Sequence, residues 1–194
     1  MLSDHPSYRV ISRARNRLFA ARIACDGDRA NIYRDNNHRH SREDKAIMNV
    51  IETKLKELGL EVPPTHPYPS PNRTSAVQAG NLLFLSGHGT GRQAMPLNIK
   101  QYGKVGGDVT EQEAYVCAKS AALCMLASIK ETVGDLDRVK RVIRLYGMVN
   151  CAPDFDRHML VIDGASDLFF ELWGPKYGQH ARAAVGIAGL PRGA

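Results

Sequence analysis

GQHARAAVGIAGLP, residues 178–191, is almost wholly small and apolar, yet it carries a guanidinium near its head. An unbroken run of Ala, Val, Gly and Ile, bounded by glycine and by proline, reads as a buried strand. Arg182 stands inside that run, two residues after His180. A guanidinium does not shed its charge, so burying it without an anion is costly. Arg182 therefore either reaches solvent at a sheet edge or faces an anion.

Working outward, APDFDRHMLVIDGASDLFFELWG (152–174) reads as one or two helices ending at Gly174, with Ser166 in the role of a cap. DLDRVKRVIRLYGMVN (135–150) reads as a strand with some alternation. Thr110 and Glu113 form a capping box for a long helix that runs to Val133 and stops at Gly134. Its mostly small face of Ala114, Cys117, Ala121, Cys124, Met125 and Ile129 suits close packing on a sheet. TSAVQAG (74–80) and LLFLSG (82–87) read as a hairpin turning at Gly80-Asn81. GHGTGRQAMPLNIKQYGKVGGD (87–108) is a long glycine-rich loop, a class of segment that is usually functional. Further upstream, VPPTHPYPSPN places five prolines within residues 62–71 and reads as an extended connection. Before it, Ser41 and Asp44 predict a capping box. Ile47, Val50, Ile51, Leu55 and Leu58 follow at helical spacing, with Gly59 as the stop. After this first helix the order is β-β-α-β-α-β, without internal repeats, which predicts an α+β sandwich.

The 194 residues suffice for a core without disulfides or metals. No apolar run approaches the roughly 20 residues of a membrane helix. The net charge of +6 is unevenly spread: residues 1–47 hold ten Arg/Lys against six Asp/Glu, and residues 48–194 hold sixteen against fourteen. The composition break near residue 45 divides an Arg-rich N-terminal extension (1–47) from the domain (48–194). The extension reads as a disordered or artefactual tail with Met48 as the natural start. The alternative is a mitochondrial transit peptide, which Asp4, Asp26, Asp28 and Asp35 oppose. The basic balance therefore says little about nucleic acid. His38 and His40 in that tail read as solvated side chains. Cys25, Cys117, Cys124 and Cys151 show no metal-ligand spacing. They read as small core residues in a reducing compartment, which places the chain in the cytoplasm.

Two familiar chemistries fit poorly. GHGTGR (87–92) is followed by Met95-Pro96 rather than by the helix N-terminus that a phosphate cradle needs. Ser86 lacks the GxSxG setting of a hydrolase nucleophile, and a serine ending a strand is usually a hydrogen bonder.

The segments GNLLFLSG (80–87), GKVGGDVTEQEAY (103–115), VGDLDRVKRVIRLYGMVNCAPDF (133–155), VIDGASDLFFELWG (161–174) and GQHARAAVGIAGLP occur in an order that resembles the Rid/YjgF family. The branch is the one called YjgF/chorismate mutase-like or putative endoribonuclease L-PSP. The likeness spans Met48 to Pro191. It implies the chorismate mutase-like α+β fold, a mixed sheet with helices packed on one face, and a homotrimer with sites between subunits. It also implies hydrolysis of reactive enamines and imines, such as 2-aminoacrylate, to 2-keto acids and ammonia, with no metal or organic cofactor. By the same resemblance Arg182 grips the substrate carboxylate and is the catalytic candidate. Ser86 and Gly87 orient the substrate, and Arg73 stands where the family has a tyrosine. Ser166 or Asp163 stands where the family has an asparagine, and Ala184 replaces a cysteine. The resemblance places a final strand with a water-positioning glutamate beyond Pro191. The sequence stops at Ala194, so that strand is expected to be missing. Two alternatives remain open at this point. One is a non-catalytic trimer that binds a small carboxylate. The other is the endoribonuclease activity described for some members, for which a domain with so little net charge and no aromatic cluster beside a basic stripe offers little.

Overall fold

The computed structural model of the chain describes residues 49–65, 71–91 and 98–193. The capping box of Ser41 and Asp44, the apolar Ile47, the tail with its histidines, Cys25 and Met95-Pro96 lie outside the described residues. Helix α1 spans Val50–Glu57. Its cap comes from a distant segment: the Asp137 carboxylate accepts hydrogen bonds from the backbone N–H groups of Asn49 (2.5 Å), Val50 (2.8 Å) and Ile51 (2.9 Å). A first helical turn leaves four N–H groups without partners, and a carboxylate there also suits the positive end of the helix. Of the apolar positions expected along α1, Ile51 and Leu55 are buried, while Val50 and Leu58 stay exposed. Beyond the helix, Gly59 N–H donates to the Lys56 carbonyl and Leu60 N–H to the Leu55 carbonyl, a closed C-terminal turn.

Strands β1 (Ala76–Ala79) and β2 (Leu82–Leu85) form an antiparallel hairpin. Ala79 faces Leu82, so Gly80-Asn81 is the two-residue turn that the sequence predicts. Leu83 and Leu85 pack against the core, while Val77 and Phe84 look outward.

Helix α2 (Glu111–Val133) starts in the expected capping box, with Thr110 and Glu113 bonding each other's backbone N–H, and ends at Gly134. Its buried residues differ from the small face read from the sequence. Leu123, Leu126, Ala122, Ala127, Ser120 and Ser128 are buried together with Ala114 and Ile129. Cys117, Ala121, Cys124 and Met125 are only half-buried. The helix contacts both the hairpin and a second helix, so burial spreads over more of its circumference than one stripe.

A 3-10 turn at Leu136–Arg138 precedes β3 (Arg144–Asn150), so the strand occupies only the second half of the segment 135–150. β3 alternates: Leu145 and Val149 are buried, and Gly147 lies against Ile162. It pairs in parallel with β4 (Ala181–Ile187), with Leu145 opposite Arg182 and Val149 opposite Gly186. Helix α3 (His158–Tyr177) makes the crossover. It is broken at Gly174, where the sequence places its end. That glycine takes a left-handed φ of 70°, followed by Pro175, and the helix bends there and resumes. Ser166 lies in the middle of α3 and caps nothing, contrary to the sequence reading.

Pairing among the described strands is thus both antiparallel and parallel, in two two-stranded sheets with helices behind them. This is the mixed α+β architecture expected. Leu126, Leu136, Leu168 and Leu172 form the driest part of the core. Among the described residues, no helix is long and apolar enough to cross a membrane.

Candidate functional site

Paired residues of parallel strands share a face, and Leu145 faces the helices, so its partner Arg182 does too. There it meets α3. One nitrogen, Nη1, donates to Asp163 Oδ1 at 2.5 Å and to Ser166 Oγ at 3.1 Å. Asp163 and Ser166 stand three residues apart, and that spacing puts both on one helix face. The guanidinium is partly shielded, its side chain 26% exposed, so the question raised by the sequence has an answer: the cation faces an anion. The fork has five N–H donors. Among the described residues only Nη1 has side-chain partners, which leaves the other edge for a ligand.

His180 completes the cluster. Its Nδ1 lies 2.7 Å from the Gly178 carbonyl oxygen, and its Nε2 lies 3.2 Å from Ser166 Oγ. A carbonyl only accepts, so Nδ1 carries the hydrogen and Nε2 is the acceptor in the neutral ring. The Ser166 hydroxyl then donates to Nε2 while accepting from Arg182. The edge of Phe169, 6.0 Å away between ring centres, helps set the imidazole plane. Ser166, His180 and Arg182, with Asp167, Phe170, Gly178 and Gln179, line an open groove of about 490 Å3. At the groove wall Asp167 accepts a hydrogen bond from the Tyr115 hydroxyl at 2.8 Å. Burial, and then that bond to a carboxylate, push the Tyr115 phenol up to about 12. It stays a protonated donor over the physiological range.

The other expected site residues lie elsewhere. Ser86 follows β2, where its Oγ donates to the Thr74 carbonyl at 2.6 Å and its N–H to the Ser75 carbonyl at 2.9 Å. Gly87 is exposed beside it, and Arg73 is exposed just before β1. Thus Arg182, Ser166 and Asp163 come together, whereas Ser86, Gly87 and Arg73 gather around the hairpin of the other sheet. His180 was missed as a site residue. Its signal is period-two spacing: positions 180 and 182 project to the same side of an extended chain.

His88, in the glycine-rich segment, has a structural use. Nδ1 lies 2.8 Å from the Ser86 carbonyl and Nε2 lies 2.8 Å from Ser128 Oγ on α2. Among the described residues, no three His, Cys, Asp or Glu side chains are placed to hold a metal. Cys117, Cys124 and Cys151 are free thiols, and burial pushes the first two up.

With this geometry in place, comparison with known proteins is informative. The profile of the YjgF/chorismate mutase-like, putative endoribonuclease family matches residues 52–191. The chain belongs to this family. Protein TCP17 of Trypanosoma cruzi is 37% identical over 147 residues, which cover 74% of this chain and 88% of TCP17. Among solved structures, Atu1372 of Agrobacterium tumefaciens, described as of unknown function, superposes with a TM-score of 0.67. It is 38% identical over 77% of this chain and 88% of that one. A putative endoribonuclease of Shewanella oneidensis superposes with a TM-score of 0.66 at 31% identity. The match covers 73% of this chain and 90% of that one. The YjgF family match takes in both the Arg182 groove and the hairpin that bears Ser86.

Proposed function

We propose that the protein is an imine/enamine deaminase of the Rid type, which hydrolyses 2-imino acids such as 2-iminopropionate, the imine tautomer of 2-aminoacrylate, to 2-keto acids and ammonia. The observation that carries this reading is the convergence of Arg182, Ser166 and His180 on a groove of about 490 Å3, a size that suits a small molecule. The free edge of Arg182 grips the substrate carboxylate in a two-point bond that a lysine would not reproduce. The Ser166 hydroxyl orients the imine. An imine carbon is already electrophilic, so water attacks it without help from a metal or cofactor.

In this proposal the working unit is a homotrimer, and Ser86, Gly87 and Arg73 of one copy approach the groove of the next. Each sheet turns an apolar face away from the helices, with Val77, Phe84, Tyr146 and Met148 between 42% and 59% exposed. Such a face calls for a cover. The ligand is a small carboxylate, and nucleic acid has no part in this reading. The test is the rate of 2-aminoacrylate hydrolysis by the purified protein and by Arg182→Ala, both verified as trimers by light scattering. Turnover should vanish in the variant. A variant that keeps the rate removes the reading.

One observation favours a second reading, a carboxylate-binding trimer without turnover: Asp163 holds one edge of Arg182 in place, which fixes the guanidinium to grip a carboxylate without requiring any reaction. Tight pyruvate binding by calorimetry, with no imine turned over, selects it.

A further inference from the structure

Hydrolysis of an imine is a sequence of proton transfers, so a site that grips the substrate still needs a group to move protons. That group must be within reach of water, held in one orientation, and able both to take and to give a proton. Arg182 cannot do this, since it never deprotonates. Tyr115 stays protonated until far above neutrality. The Asp163 carboxylate is tied to Arg182, and Asp167 accepts from Tyr115. His180 remains, and its surroundings prepare it: the Gly178 carbonyl fixes the hydrogen on Nδ1, and Nε2 points at the Ser166 hydroxyl inside the groove.

We propose that His180 is the proton-transfer residue of this groove, working through the Ser166 hydroxyl, which relays between the ring and the reacting atoms. This inference rests on the deaminase reading above. As water adds, its oxygen bonds to the imine carbon. One water proton passes to Ser166 Oγ while the serine's own proton passes to His180 Nε2. The C=N π pair moves onto nitrogen, which takes a proton from Ser166 Oγ as the imidazolium returns its own to the serine, and a carbinolamine results. In the second half, Ser166 Oγ takes the carbinolamine hydroxyl proton as its own proton passes to Nε2. The C=O bond forms as the C–N bond breaks, and the leaving nitrogen takes that proton back through the serine and departs as ammonia. The sum is imine plus water giving ketone plus ammonia. The ring returns neutral and nothing is oxidised or reduced. Arg182 donates to Ser166 Oγ throughout, which keeps the hydroxyl proton aimed at the ring.

The experiment compares the intact protein with His180→Gln and Arg182→Ala. It measures 2-aminoacrylate turnover, pyruvate affinity, and the ring-nitrogen NMR signals of His180 during a pyruvate titration. Glutamine keeps a hydrogen-bonding side chain but cannot carry the proton. Its kcat should fall by about 10²-fold or more while pyruvate affinity stays within threefold. Arg182→Ala should lose pyruvate binding itself. A His180→Gln protein that turns over within threefold of the parent overturns the assignment. If the parent protein itself gives no turnover, the deaminase reading fails, and the ring signals decide His180 separately. An Nε2 signal that shifts with pyruvate occupancy, and does not shift in Arg182→Ala, then keeps His180 as a ligand-contacting group of the groove, with proton transfer overturned. Ring signals indifferent to pyruvate overturn that role.

Discussion

Two histidines of this chain show how position decides what an imidazole does. His180 lies in a groove with one nitrogen turned to a hydroxyl. His88 makes the same pair of bonds, to the Ser86 carbonyl and the Ser128 hydroxyl, but half-buried against α2 and outside that groove. Burial lowers the His88 pKa from its ordinary 6.5, an effect that the bond to the Ser86 carbonyl only partly offsets. The consequence for stability has a definite sign. Above pH 6.5 the ring is neutral in both folded and unfolded chains, and its contribution is fully present. As pH falls from 6.5 toward the lower folded value, the unfolded chain takes up a proton that the folded chain resists, and stability is lost. His88→Gln should therefore lose less stability than the parent between pH 7.5 and pH 5, as measured by urea denaturation at both. Parallel losses in the two proteins would show that His88 does not sense pH. The arginine follows the same logic of surroundings. Composition says only that Arg182 needs an anion or water, and the turn of α3 supplies the anion as Asp163.

At the level of elements, much was legible because it is written locally. The capping box at Thr110 and Glu113, the Gly80-Asn81 turn and the strand around Arg182 depend on residues within a few positions of one another. Features set by contact between distant segments were not legible. The cap of α1 comes from Asp137, 86 or more residues away, and nothing near α1 announces it. Ser166 looks like a cap because serine often is one, but α3 runs through it and turns its hydroxyl into the groove. The buried face of α2 is broader than any stripe in its sequence because α3 crosses it closely. That crossing is made possible by Gly164, where an added Cβ would sit 2.0 Å from the Tyr115 carbonyl oxygen and 3.2 Å from the Lys119 nitrogen. Backbone cannot swing aside as a side chain can, so Gly164→Ala must push the two helices apart. It should cost about 3 kcal/mol, at the upper end of ordinary overpacking, even though alanine is the better helix former. Denaturant unfolding checks this, and a neutral or stabilised variant would mean the helices are not in such close contact. Asp163 and Ser166 flank Gly164 on α3, so the same variant should also weaken pyruvate binding at Arg182.

On the scale of the whole molecule, the two sheets differ in strand direction but share one unsolved problem. Helices α2 and α3 cover the inner faces, while the outer faces present Val77 and Phe84 on the hairpin and Tyr146 and Met148 on β3. Strands with one face on a core normally carry polar residues on the other. Here the second face is apolar as well, which is the pattern of a strand buried on both sides. The proposed trimer removes the difficulty, because three copies cover one another's outer faces. It also explains why Ser86 and Arg73 lie apart from Arg182 within one chain: a site between copies draws its walls from two of them. Replacing Phe84 and Tyr146 together by glutamate places two charges per copy where that cover would sit. Both side chains are more than half exposed in the single chain, so the substitution leaves the core untouched. Light scattering should then show a trimer for the parent protein and a folded monomer for the double variant, with helical content unchanged by circular dichroism. Imine turnover should disappear with the trimer, while His180 and Arg182 keep their hydrogen bonds within each chain. A parent protein that is monomeric at all accessible concentrations would overturn the assembly. A monomeric double variant with full turnover would show instead that the groove works alone, and that the hairpin residues serve the fold rather than the reaction.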